Sequence, residues 1–98
     1  MKSGVYKITN KINNKIYVGS SVNIKARWDD HIKMLTNSRH HNKHLQSSFN
    51  KHKLENFDFI ILEICNKEEL IIKEQFYIDT LKPEYNILKT AGSRLGQK

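Results

Sequence analysis

This sequence predicts a single small domain of the α/β (α+β) class, and three observations predict it. Two short β-favouring runs, GVYKITN and KIYVGS, flank an asparagine-rich turn; an apolar stripe at helical spacing follows; and the later apolar run FDFIILEIC leads into a second stripe. The expected order is strand, strand, helix, helix, strand, helix. A chain of 98 residues has material for one core and little to spare.

The first two strands, Gly4 to Asn10 and Lys15 to Ser20, carry β-branched and aromatic residues, and Asn13 and Asn14 tolerate the backbone angles of a tight turn. With Ile12 set opposite Lys15, Tyr17 faces Asn10. Tyr6, Ile8, Asn10, Tyr17 and Gly19 then project from one side, with Gly19 leaving room beside the two phenols. Ser20 or Ser21 is the expected cap of a helix through about Leu35, whose stripe is Ile24, Trp28, Ile32 and Leu35. Arg27 and His31 stack four residues apart on its polar edge.

NSRHHNKH reads as a basic, exposed loop, and a short helix after it buries Leu45 and Phe49. FDFIILEIC is apolar at both parities, which predicts a central strand covered on both faces. Asn66 and Glu69 resemble a capping box for a last helix that stops before Pro83. KTAGSRLGQK has no periodicity and reads as the start of a linker.

Composition narrows the partners. Seventeen basic against 10 acidic residues give a formal charge of +7, which favours a polyanion such as nucleic acid. No apolar run approaches the roughly 20 residues of a bilayer span, and no secretion signal opens the chain, so an intracellular protein without a membrane is expected. A lone cysteine, Cys65, excludes an internal disulfide and any cysteine-rich zinc site.

One residue of the last helix resists a packing account. Leu70, Ile71, Tyr77, Ile78 and Leu81 define the expected apolar face, and Glu74 falls about 40° from both Leu70 and Ile78, inside it. A carboxylate there has to be paired, protonated or bound to a cation. Arg27 alone could neutralise it, and the tyrosines and His31 could be ordinary half-buried residues. A single polar cleft would satisfy Tyr6, Tyr17, Arg27, His31 and Glu74 together. His40, His41 and His44 could ligate a metal, but an exposed basic tract is the simpler reading.

With a phosphodiester as ligand, Glu74 would hold one Mg²⁺, Arg27 would meet developing phosphate charge, and Tyr6 would be the general base with Tyr17 orienting water or phosphate. GVY, then YVG some ten residues on, an Arg and a His four apart, a later Glu, and the Asn of YNIL make an ordered set. In that set the chain resembles the GIY-YIG nucleases, with Val5 and Val18 in place of the isoleucines and similarity running over roughly Lys2 to Leu88, including LQSSFNKH. Among them it looks most like the catalytic domains of phage and intron homing endonucleases.

The resemblance implies a central three-stranded antiparallel sheet with flanking helices. It also implies Mg²⁺-dependent (or Mn²⁺-dependent) cleavage of double-stranded DNA to 5′-phosphate and 3′-hydroxyl ends. Carried over by position, the site residues are Tyr6, Tyr17, Arg27, His31, His40, Glu74 as metal ligand, and Asn86. Residues 1–88 are then the catalytic domain and 89–98 the start of a linker to a DNA-reading region that the chain lacks. Such a module is expected to be monomeric and to touch DNA weakly, through phosphate contacts from Lys33, Arg39, Lys43, Lys51 and Lys53. A repair or restriction nuclease of the same fold, and a non-catalytic nucleic-acid-binding domain, are the competing readings.

Overall fold

The structure is a computed structural model that describes residues 2–86. The expected domain boundary at Leu88 and the linker over 89–98 lie outside the described residues. Strands β1 (Gly4–Asn10) and β2 (Ile16–Ser21) form the expected antiparallel hairpin, but in a register displaced by two residues. Tyr17 opposes Ile8, not Asn10, and Gly19 opposes Tyr6. The connection is longer than the two asparagines suggest: the Asn10 N–H donates to the Lys15 carbonyl at 2.9 Å and the Asn14 N–H to the Asn10 carbonyl at 2.7 Å. Asn14 takes the left-handed φ of 63°, and the side chains of Asn10 and Asn13 accept from the N–H groups of Ile12 and Lys15. Because the slide is an even number of residues, side-chain parity survives and both phenols keep the same face.

Strand β3 (Phe57–Ile64) pairs antiparallel with β1, so the sheet order is β2-β1-β3. β1 is therefore central, and the expectation that β3 lies in the middle is wrong. Its apolar run at both parities is not covered on both sides: Ile60, Ile61 and Ile64 are exposed, while Val5 and Ile8, on opposite faces of β1, are fully buried. A bulge opposite Val5 and Tyr6 lets the register skip Leu62. At Gly4 a side chain would collide with the Glu63 carbonyl, so the two backbones meet where only glycine fits.

Helix α1 (Ile24–Thr36) starts later than expected because β2 continues through Ser21. Its cap is Asn23, whose Oδ1 accepts from the Ala26 N–H at 3.2 Å. Helix α2 (Lys43–His52) is capped by Asn42. Ile24 and Leu35 of α1 and Leu45 of α2 pack with Tyr6, Ile8, Tyr17, Phe57 and Tyr85 on one face of the sheet. Helix α3 (Leu70–Leu81) follows a 3₁₀ turn at Lys67–Glu69, which carries the Asn66 and Glu69 capping box, and ends where Lys82 turns left-handed at φ 49° before Pro83.

Helix α3 covers the other face, where Ile78 packs with Val5 and Val18. Its buried side is narrower than the stripe predicts: Glu74 and Ile78 are inside, Leu70 and Tyr77 half-buried, whereas Ile71 and Leu81 are exposed. A three-stranded sheet is too small to cover the whole apolar arc of a helix laid across it. Among the described residues no helix is long and apolar enough to cross a membrane.

Candidate active site

The hairpin face places Tyr6 and Tyr17 side by side, each 1% exposed. Gly19 is what allows this, since a Cβ there would lie 2.6 Å from the Tyr6 oxygen and 3.2 Å from the Tyr17 ring. His31 of α1 comes down between them. Its ring centroid is 5.8 Å from that of Tyr6 and 5.4 Å from that of Tyr17, both edge-on. The Tyr6 oxygen lies 2.8 Å from His31 Nε2, and His31 Nδ1 lies 2.7 Å from His40 Nε2.

His40 is thus not in an exposed tract. It is 2% exposed and its ring lies nearly parallel to that of His31, edge to edge with centroids 4.9 Å apart, while Arg39, His41, Lys43 and His44 around it face water. The loop is basic outside and anchored inside. His40 is held by its own N–H donating to Gln46 Oε1 at 3.0 Å and by the Asn42 N–H donating to its Nδ1 at 3.0 Å. Gln46 and Asn42 were missed in the sequence. Asn42 immediately before the LQSSF helix was a legible cap signal, but nothing in one sequence marks Gln46 as buried.

Burial pushes the Tyr6 phenol well above its ordinary range, with Tyr17 and the Glu74 charge adding to the rise and the Arg27 guanidinium opposing it. Tyr6 is therefore a neutral phenol in the protein alone. Arg27 from α1 and Glu74 from α3 thus both act electrostatically on Tyr6 of the hairpin.

Glu74 lies on α3, on the far face of the sheet, and its charge is felt at Tyr6. It is 7% exposed, and Ser20 Oγ of β2 donates to its Oε1 at 2.5 Å. Ser20 follows Gly19 in β2, so alternation sends it to the α3 side, where it meets Glu74. It too was missed, having been read as a helix cap. Among the described residues no group of three His, Cys, Asp or Glu side chains could enclose a metal ion. A single hard carboxylate oxygen, pre-oriented by a hydroxyl, nevertheless fits a cation such as Mg²⁺ that keeps most of its positions for water and phosphate.

Asn86 has both ends of its side chain engaged at the border of β2. Its Oδ1 accepts from the Val18 N–H at 2.8 Å and its Nδ2 donates to the Val18 carbonyl at 2.9 Å, as a neighbouring strand would. Beside it the Tyr85 N–H donates to the Ile16 carbonyl. Tyr85 itself is fully buried, with its hydroxyl accepting from Asn10 Nδ2 at 3.0 Å and its carbonyl from Asn42 Nδ2 at 2.6 Å. Lys33, Arg39, Lys43, Lys51 and Lys53 are all exposed on or beside α1 and α2. Lys33 and Lys51 lie in last turns, where a cation also suits the helix dipole.

Two neighbouring phenols thus lie on one face of a three-stranded sheet, and a guanidinium and a carboxylate act on one of them. The model of the GIY-YIG catalytic domain matches residues 2–86, and the chain belongs to that family, an endonuclease domain. It is 41% identical over 97 residues to "Intron-associated endonuclease 1" of Enterobacteria phage T4, covering 98% of this chain and 40% of that protein. It is 37% identical over 105 residues to "Probable intron-encoded endonuclease bI1" of Neurospora crassa, covering 98% of this chain and 22% of that protein. The chain therefore spans less than half the length of these curated relatives. The solved catalytic domain of intron endonuclease I-TevI, in a mutant form, superposes with a TM-score of 0.85 at 41% identity, covering 93% of this chain and 98% of that one.

Proposed function

We propose that this chain is the catalytic module of a homing endonuclease that hydrolyses a phosphodiester of double-stranded DNA with one divalent cation, Mg²⁺ or Mn²⁺, held by Glu74. The observation that supports the proposal is that Arg27 and Glu74, from two other elements, both act electrostatically on the buried Tyr6 phenol. A structural ion pair would need only two of these three residues. The intron-associated and intron-encoded naming of the relatives favours homing over repair or restriction.

In this reading the phosphate lies against Arg27, whose half-exposed guanidinium can meet charge that grows on a non-bridging oxygen. The cation, when bound, supplies further neutralisation of the phosphate and acidifies water. Tyr6 acts as base only as the phenolate: it first gives up its own proton to solvent water and then takes the proton of the attacking water, and Arg27 is the neighbour that favours the phenolate against the cost of burial. Tyr17 orients water or phosphate beside it. Ser20 keeps the Glu74 carboxylate turned toward the site. His31 and His40 hold the Tyr6 oxygen, and Asn86 holds the strand that carries Tyr17. Lys33, Arg39, Lys43, Lys51 and Lys53 supply weak phosphate contacts, and affinity for a particular sequence is left to other parts of a longer protein.

Supercoiled plasmid incubated with the chain and Mg²⁺ is expected to be nicked, and both EDTA and Glu74→Ala are expected to stop it. Nicking that survives both would overturn the metal-carboxylate reading. A Tyr6→Phe protein that folds and cuts as fast as its parent would remove Tyr6 from the role of base.

A further inference from the structure

The buried row Tyr6, His31, His40 presents four imidazole nitrogens, each within hydrogen-bond distance of a partner. The row has a fixed end. At His40 Nδ1 the partner is the peptide N–H of Asn42, and a peptide N–H can only donate. His40 Nδ1 must therefore offer its lone pair, which puts the hydrogen of a neutral ring on Nε2. That hydrogen faces His31 Nδ1 at 2.7 Å, so His31 Nδ1 accepts in turn. The remaining hydrogen of His31 is then on Nε2, directed at the Tyr6 oxygen 2.8 Å away.

The opposite direction fails by counting hydrogens. Were Tyr6 to donate to His31 Nε2, His31 would carry its hydrogen on Nδ1 and donate to His40 Nε2, leaving His40 an acceptor at both nitrogens, which only an anion can be. An added proton fails as well. An imidazolium at His31 would set an N–H of one ring against an N–H of the other or turn His40 Nδ1–H onto Asn42, and an imidazolium at His40 would set Nδ1–H against the Asn42 N–H.

We propose that the Asn42 peptide N–H sets the direction of the whole row, so that neutral His31 is a positioning residue that donates to the Tyr6 oxygen and is not the acceptor of the Tyr6 proton. The inference deepens the proposed function and rests on it for the role of Tyr6. The anchoring N–H is itself well held: Asn42 caps α2 by accepting from the Leu45 N–H at 3.0 Å, ties to the Tyr85 carbonyl, and sits beside Gln46, which grips the His40 backbone. Two consequences follow for Tyr6. Its own hydrogen is directed away from His31 and from the Arg27 guanidinium, which can only donate to that oxygen, and any proton it loses leaves by neither. The oxygen left behind keeps the His31 N–H as a donor.

Nitrogen-15 NMR of the histidine rings in the 98-residue chain, metal-free at neutral pH, reads the direction without reference to activity. His31 and His40 are both expected as the neutral Nε2–H tautomer, and an Nδ1–H tautomer or an imidazolium at either ring would overturn the proposal. Asn42→Pro removes the donor at a φ of −86°, close to what proline requires, and is expected to admit the Nδ1–H form of His40. Asn42→Ser, which keeps the N–H and a capping oxygen, is expected to retain the parental pattern. A His40 that stays wholly Nε2–H in a folded Asn42→Pro protein would take the direction-setting role from Asn42; should that variant not fold, the parental spectrum still decides. Plasmid cleavage with reversed tautomers would sink this inference alone, whereas the expected tautomers without cleavage would sink the proposed function alone.

Discussion

The two faces of the sheet are finished in different ways. On the Tyr6 face the core includes buried Asn10, His31, His40, Asn42 and Gln46, each tied by hydrogen bonds to a neighbour from another part of the chain. On the Val5 face the buried cluster is Val5, Val18 and Ile78, while Ile71, Ile72 and Phe76 of α3 stand in water. Its polar contacts, Glu63 with Lys73 at 3.1 Å and with Tyr77 at 3.0 Å, are part-exposed. Apolar packing tolerates several arrangements of nearly equal energy, whereas a buried polar network is satisfied in few. The reactive oxygens sit on the face that can be satisfied in few ways, and the looser face lends the site one carboxylate.

That contrast can be broken most directly at Arg27. Arg27→Ala is expected to slow single-turnover plasmid cleavage by roughly 10³-fold, about 4 kcal/mol, with the melting midpoint nearly unchanged. Phe76→Ala, at a site 57% exposed on the looser face, is expected to leave the rate alone, and an equal loss there would erase the distinction. For stability, Leu45→Ala in the Tyr6-face core is expected to cost about 3 kcal/mol in urea unfolding. Ile72→Ala, 72% exposed, should stay within about 0.5 kcal/mol of the parent.

Gly19→Ala sharpens the comparison at the phenols themselves. The new methyl must displace the Tyr6 ring, so a loss of about 2 kcal/mol in the same urea assay is expected together with reduced cleavage. The smallest effect belongs to Glu63, whose carboxyl is held below the usual glutamate range by the hydrogen bonds from Lys73 and Tyr77. Its folded pKa lies below its unfolded one, so its contribution is complete above the unfolded value and disappears as pH falls through the folded value. Lys73→Met is expected to flatten that acid-side slope slightly in melts taken across the range, without altering the neutral-pH midpoint measurably.

Patterns that depend on parity and angle were legible in the sequence. The shared face of Tyr6 and Tyr17 needs only alternation, and the anomaly of Glu74 needs only the helical repeat, so both survived an error in register. The register itself was not legible, because Asn10, Asn13 and Asn14 suit a four-residue connection as well as a two-residue turn. Nor was the order of strands. β1 carries Lys7, Thr9 and Asn10 and looks like the edge, yet Asn10 is buried against Tyr85, 75 positions away, and Lys7 lies over the sheet only half-buried. Ser20 was assigned to a cap because a hydroxyl before a helical stripe usually is one; its carboxylate partner is 54 positions downstream.

The side chain of Asn86 grips β2 at both the N–H and the carbonyl of Val18, and Tyr17 and Gly19 are the residues on either side of it. The shape of the strand that carries Tyr17 therefore depends on a side chain 68 positions downstream of Val18.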